Sequence, residues 1–144
     1  MEALFRKLVN DSSEVWRISS AGVKAHQGSP PHPVISFILS QRGISIVKHR
    51  SKPIDRKLLN KYYWIIVAEK VHKESLINQY PDIEKRIVVL RELTTDSDII
   101  DKDLPDPTGK EVGDYSELFF ILDKEIPILN STLESKISDI QEKP

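Results

Sequence analysis

The chain has 144 residues, 39% of them hydrophobic and 30% charged, with a net charge of −1 and no cysteine. That length and balance fit one globular domain with one core, and the near-neutral charge argues against a nucleic-acid binder, which carries a clearly basic face. Without cysteine these residues hold no disulfide framework, thiolate metal site or cysteine nucleophile, and apolar runs of about five residues fall far short of the ~20 that cross a bilayer. No charged n-region and apolar h-region opens the chain, so a cytoplasmic location without membrane partners is expected.

Met1–Asn10 has helical spacing, with Leu4 and Leu8 four apart and Phe5 and Val9 beside them. Trp16–Ser20 reads as a short strand ended by Ala21-Gly22. A proline-rich loop, Gly28-Ser29-Pro30-Pro31-His32-Pro33, leads into a helix through Val34, Ile35, Ile38 and Leu39 that Gly43 stops. Ile44–Val47 is expected to be extended and Asp55–Tyr62 helical. Tyr63–Ala68 is apolar without alternation, the pattern of a parallel strand buried on both faces. Lys70–Gln79 is helical, Pro81 marks a turn, and Ile87–Leu90 is a second buried strand. After a polar loop over Thr94–Gly109, the spacing predicts a long helix over Asp114–Ile140. Leu118, Leu122, Ile126, Leu129 and Leu133 share its inner face, and Pro127 should kink or break it. Helices alternating with apolar strands indicate an α/β domain, whose ligands bind beyond the carboxyl ends of the strands.

The segment after the second strand contains Asp103-Leu104-Pro105-Asp106-Pro107-Thr108-Gly109. Asp106 before Pro107 resembles a general acid on a stiffened loop, because proline restricts both its own φ and the residue before it. An ionised aspartate with pKa ~3.9 would need desolvation or a nearby phosphate to serve as an acid at neutral pH. Read by itself, the dipeptide is better explained by an ordinary Asp-Pro turn. Other motifs fail. Asp96, Asp98, Asp101 and Asp103 resemble a calcium loop in composition only, since Asp101 stands where glycine is required. The four histidines have no metal-ligand spacing, and no metal or other cofactor is expected. Asn10-Asp11-Ser12 and Asn130-Ser131-Thr132 fit a glycosylation pattern that means little without a secretory signal.

Several segments together carry a family likeness: Glu2–Val9, Trp16-Arg17 with Ser20-Ala21-Gly22, Gly28-Ser29-Pro30-Pro31, Gly43-Ile44 with His49, and Asp106-Pro107. In this order they resemble the low-molecular-weight protein-tyrosine phosphatases, from residue 1 to about Glu134, which leaves residues 135–144 as a tail. The resemblance implies a three-layer α/β domain, Rossmann-like, with a small parallel sheet flanked by helices. It also implies that the family's first, central strand and its C-x-x-x-x-x-R-[ST] phosphate loop would lie upstream of Met1. That strand would sit between Trp16–Ser20 and Tyr63–Ala68. Its loss removes burial worth roughly 6–18 kcal/mol against a total stability of ~5–15, so the chain is expected to be marginal or unfolded alone.

The same resemblance implies phosphomonoester hydrolysis through a cysteinyl-phosphate, on a phosphorylated protein or small phosphomonoester. Asp106 would be the general acid with Pro107 as its support, Ser20 and His49 would support the phosphate loop, and His26 and Thr108 would form the pocket rim. Glu69 and His72 match further positions near the pocket, although a carboxylate at a helix N-terminus explains Glu69 equally well. Thr108 departs from an aromatic often found there, which weakens the case for a phosphotyrosine ring wall. With no nucleophile, the chain is expected to be inactive. The alternatives are a non-catalytic pseudophosphatase binding module and a protein-arginine phosphatase of the same fold.

Overall fold

The apolar runs of the central third form the sheet. The computed structural model describes residues 1–9, 16–94 and 99–141, with side chains through residue 138. Asn10, Asp11, Ser12, Asp96 and Asp98, which figure in the motifs above, lie outside the described residues. β1 (Ile65–Val67) and β2 (Ile87–Val89) pair in parallel, with Ile66 opposite Val88. They are joined by α4 (Lys70–Gln79) and a 3-10 turn (Pro81–Arg86), the helical crossover that a parallel pair requires.

Helix α1 (Glu2–Leu8) carries a Glu2–Arg6 pair one turn apart, with Nε 3.0 Å from the carboxylate, and buries Phe5 edge-on to Trp16. Helix α2 (Pro33–Gln41) starts with Pro33 in its first turn, behind a His32 ring that accepts from the Val34 amide. Helix α3 (Arg56–Leu59) is a single turn whose N-terminus the Asp55 carboxylate caps through the Leu58 amide at 2.6 Å. Helix α5 (Leu90–Thr94) follows β2 directly, and α6 (Val112–Gln141) spans thirty residues.

The sheet separates two cores. Phe5, Leu90, Leu104, Leu122, Ile126, Leu129 and Leu133 form one, against which Trp64, Ile66 and Ala68 pack. Leu59, Val67, Leu76, Ile83, Ile87 and Val89 form the other, with Ile54 and Ile65 beside them. Successive residues of Trp64–Ala68 thus point to opposite sides, as strand geometry demands, and both sides are apolar.

Five expectations need correction. Trp16–Ser20 is not a strand: among the described residues no other backbone segment pairs with it, the Arg6 guanidinium donates to the Ile18 carbonyl, and the nearest ladder element is an isolated parallel bridge between Gly22 and Pro53. Ile44–Val47 is irregular and the Asp55–Tyr62 helix contracts to α3, because Lys61 and Tyr62 close onto the preceding turn instead of extending it. Leu90 belongs to α5, so the Thr94–Gly109 loop begins inside a helix. Finally, α6 runs through Pro127 without a break. Pro127 and Asp123 both lie on the exposed side, where water can satisfy the carbonyl that proline leaves without a donor. The inner face is as expected at Leu122, Ile126, Leu129 and Leu133; Tyr115 and Phe119 extend it, and Leu118 is only partly buried.

Candidate active site

The Asp106 loop is fastened to the carboxyl end of β1. The Leu104 amide donates to the Ala68 carbonyl at 3.0 Å, and the Leu104 side chain enters the first core. One Asp103 carboxylate oxygen accepts from the Lys70 amide at 2.7 Å, capping α4 where Glu69 makes no cap of its own. From the other side the Arg91 guanidinium donates to the carbonyls of Asp101 (3.0 Å) and Asp103 (3.2 Å). Arg91 is in turn held by Glu125 of α6 at 3.0 Å, and Glu125, 5% exposed, also accepts from the Thr94 hydroxyl. A charge pair buried with further hydrogen bonds is one in which both partners are satisfied.

Beyond these anchors the loop turns outward. Pro107 is buried, whereas Asp106 and Thr108 are exposed. The Lys110 amide donates to the Pro107 carbonyl at 3.0 Å, and Gly109 has φ +75°, the left-handed position that such a turn reserves for glycine. The Asp106 carboxylate accepts from the Thr108 amide at 3.0 Å. Hydrogen bonds from the Thr108 side chain and amide hold its pKa below the usual aspartate value; slight burial opposes them, and the charges of Lys110 and His72 add to the lowering. At rest Asp106 is therefore a carboxylate. An acid role requires the negative charge of a bound phosphoryl group to reverse that balance.

Ser20 and His49 come together, on Glu2. The Ser20 hydroxyl donates to one Glu2 oxygen, His49 Nδ1 lies 4.0 Å from the same oxygen, and Arg6 holds the other. Burial by itself would raise the Glu2 pKa; the Ser20 and Arg6 hydrogen bonds and the charges of Arg6 and His49 outweigh it, so the net shift is downward. These residues line a cavity of about 770 Å³ that also takes in Lys7, Lys48 and the Ser29–Pro31 loop. A second cavity of about 720 Å³ lies between β1 and Trp16–Gly22, and Met1, Glu2 and Ser20 line both. Burial lowers the pKa of the Met1 α-amino group, against the pull of Glu2.

Asp106, Pro107 and Thr108 line neither cavity; His72, which lines the larger apolar one, links them through its charge on Asp106. His72 itself faces Glu69 at 3.6 Å. His26 is exposed and lines neither cavity, and its contact is a carbonyl accepting from Ser51. Asp101 and Asp103 spend carboxylate oxygens on the amides of Asp103 and Lys70, and among the described residues no three acidic or histidine side chains gather as metal ligands. Sequence reading gave no site role to Glu2, Asp103, Arg91 or Glu125. Glu2 had a signal in its i,i+4 spacing to Arg6, whereas Arg91 and Glu125 meet across 34 positions with no local pattern.

A parallel sheet with helices on both faces, and a loop of an acidic residue and proline at its carboxyl edge, is an α/β arrangement whose ligands bind beyond the carboxyl ends of the strands. The family model for low molecular weight phosphotyrosine protein phosphatase matches residues 1–139, and the chain belongs to that family. The low molecular weight protein-tyrosine-phosphatase Wzb of Escherichia coli K12 is 23% identical over 108 residues, 75% of this chain and 70% of Wzb. Among solved structures, the low molecular weight protein tyrosine phosphatase of T. tengcongensis superposes with a TM-score of 0.81 at 27% identity, covering 90% of this chain and 86% of its own. The YwlE arginine phosphatase of Geobacillus stearothermophilus superposes with a TM-score of 0.80 at 20% identity, covering 99% and 87%. The three-layer Rossmann-like expectation therefore holds.

Proposed function

We propose that the chain supplies the leaving-group side of a phosphomonoesterase site, with Asp106 as general acid, and has no nucleophile of its own. The reading is carried by the way the Asp106-Pro107 loop is anchored at the carboxyl end of β1 through Leu104, Asp103 and Arg91. A thiolate supplied from outside these 144 residues attacks phosphorus while the P–O bond to the leaving group breaks, and Asp106 protonates the departing oxygen. Water then attacks the cysteinyl-phosphate, giving its proton to the Asp106 carboxylate, and phosphate and thiolate are released. Ser20 and His49 support the phosphate-binding side through Glu2. The substrates are phosphorylated proteins or small phosphomonoesters in the cytoplasm, without a cofactor. A cysteine-to-serine mutant of YwlE arginine phosphatase carries a phosphorylated active-site serine, the covalent chemistry this reading needs in that protein.

With para-nitrophenyl phosphate, the 144-residue chain should give no turnover above background. Joined behind a strand and a C-x-x-x-x-x-R-[ST] segment it should turn over, and Asp106→Asn in that protein should lower kcat about 100-fold or more. Turnover by the unaided chain that Asp106→Ala abolishes would refute the reading.

Thr108 favours a second reading within the same chemistry, phosphoarginine as substrate. It is exposed, offers no ring to stack on a phenyl group, and spends its hydrogen-bonding groups on Asp106. Comparing phosphotyrosine and phosphoarginine peptides with the joined protein decides between them: a kcat/KM higher for phosphotyrosine would refute it.

A further inference from the structure

Residues 15–54 contain no aspartate or glutamate, in a chain that has 22 of them. The same stretch carries six lysines and arginines and three of the four histidines, so a molecule of net charge −1 holds one strongly basic segment. The fold gathers its cations. Residues 22–29 are tied at both ends to residues 51–54: the Gly22 amide donates to the Lys52 carbonyl at 3.0 Å, the Gly28 amide to the Ser51 carbonyl at 2.8 Å, and the Ser51 amide to the Ser29 carbonyl at 2.9 Å. Between those ties the Ser51 hydroxyl donates to the His26 carbonyl. Lys24 and His26 on one side of the ties, and Lys48 and Arg50 on the other, are all exposed.

Other cations are matched within the fold, Arg42 by Asp123, Arg56 by Asp82, Lys73 by Glu92 and Arg91 by Glu125. Lys24, Lys48, Arg50 and Lys52 face no carboxylate among the described residues, and Lys52 donates instead to the Ser19 hydroxyl at 2.6 Å. Arg50 is also held in place. Its Nη1 donates to the carbonyls of Val47 (2.8 Å) and His49 (2.7 Å), while its Nε–Nη2 edge makes no hydrogen bond among the described residues. That edge presents two parallel donors spaced to match a carboxylate. A guanidinium already fixed by two carbonyls loses little freedom on binding one.

We propose that this surface docks an acidic polypeptide segment, with one carboxylate on the Nε–Nη2 edge of Arg50 and its neighbours beside Lys24 and Lys48. Unstacked bases would need an aromatic face, and no Phe, Tyr or Trp lies in residues 22–29 or 48–54. A bilayer would need apolar side chains to insert, and Val47 is the one large apolar group well exposed at this surface. Acidic side chains need neither. The inference stands apart from the phosphatase reading, because docking requires no nucleophile and does not involve Asp106.

The 144-residue chain is titrated into a fluorescein-labelled peptide of glutamates interspersed with glycines, and binding is read by anisotropy. The same peptide with glutamine for glutamate, an oligothymidylate and phosphatidylserine vesicles are run beside it. The glutamate peptide should bind saturably, more tightly than the other three, and about tenfold or more weaker when salt is raised from about 50 to about 300 mM. Lys48→Glu with Arg50→Glu should weaken binding about tenfold or more. Lys85→Glu with Lys124→Glu makes the same change in net charge at two exposed positions elsewhere, and should weaken it by less than about twofold. Arg50→Lys keeps the charge and removes the fork, and should weaken it about threefold or more. The proposal is overturned if the glutamate peptide does not bind, or if the oligothymidylate or the vesicles bind more tightly. It is also overturned if both double variants lose equally, as they would in a chain too loosely folded to hold the surface together. A salt-sensitive dimer in sedimentation that Lys48→Glu with Arg50→Glu abolishes would assign the surface to a second copy, and would overturn it too.

Discussion

At the scale of residues, two carboxylates are held in their charged form by different partners. Asp106 is kept ionised chiefly by Thr108, so Thr108→Val, which removes the hydroxyl and spares the amide, should move the Asp106 pKa up toward the ordinary aspartate value. A carbon-detected carboxyl titration by NMR reads this; no movement would mean that the amide alone sets the value. Glu2 is held by Ser20 and Arg6, and its folded pKa lies below its unfolded one. Its contribution to stability is therefore fully present above the ordinary glutamate range and is lost as pH falls through the lowered folded value. With Arg6 more than a third exposed, the contribution is about 0.5–1 kcal/mol after solvent screening. Glu2→Gln should lower Tm near neutral pH, and the gap to the parent should close as pH falls through the lowered folded value. A gap that widens on acidification would contradict this. The family likeness singled out Ser20 and His49 separately, but their meeting point on Glu2 was not legible in the sequence, because 18 and 47 residues of chain must fold back to create it.

At the scale of elements, the acid loop is rigid only where other elements grip it. Arg91 on α5 and Glu125 on α6 form its buried tie, and neither residue belongs to the loop. Glu125→Ala leaves the guanidinium without its carboxylate in a buried setting, at a cost of about 3 kcal/mol, the low end for a broken buried pair because two carbonyls remain. Urea denaturation measures that loss. Amide exchange should rise more at Leu104 and Lys70, whose amides bond at the loop's anchor, than in the middle of α6. Equal rises in both would show a tie that stabilises the helix and not the loop. Pro127 teaches the converse lesson about elements. Its steric effect on a helix is real, yet the apolar face from Tyr115 to Leu133 is continuous past it, and burial of that face outweighs one missing hydrogen bond on the solvent side.

For the whole molecule, the two cores meet along β1 and part along the cavity of about 720 Å³ on its far edge. Apolar walls that face a cavity lose the contacts that would stabilise them, so residues 1–144 alone should be marginal. Calorimetry should find no cooperative transition above ~45 °C, and a sharper, hotter one would sink the expectation. The sequence alone determined the α/β class, because apolar runs without alternation, at Tyr63–Ala68 and Ile87–Leu90, alternate with helical patterns. It also determined the helices that start at Pro33, Asp55 and Lys70, whose signals are local. Tertiary structure alone decided the fate of Trp16–Ser20. Those residues have strand character, but a strand is made by a neighbour, and among the described residues none lies beside them. It also decided that Asp106 rests as a carboxylate beside Thr108, with Arg91 and Glu125 behind it. Hydrogen bonds between residues distant in sequence leave no period or spacing in the chain, so only the folded arrangement reveals them.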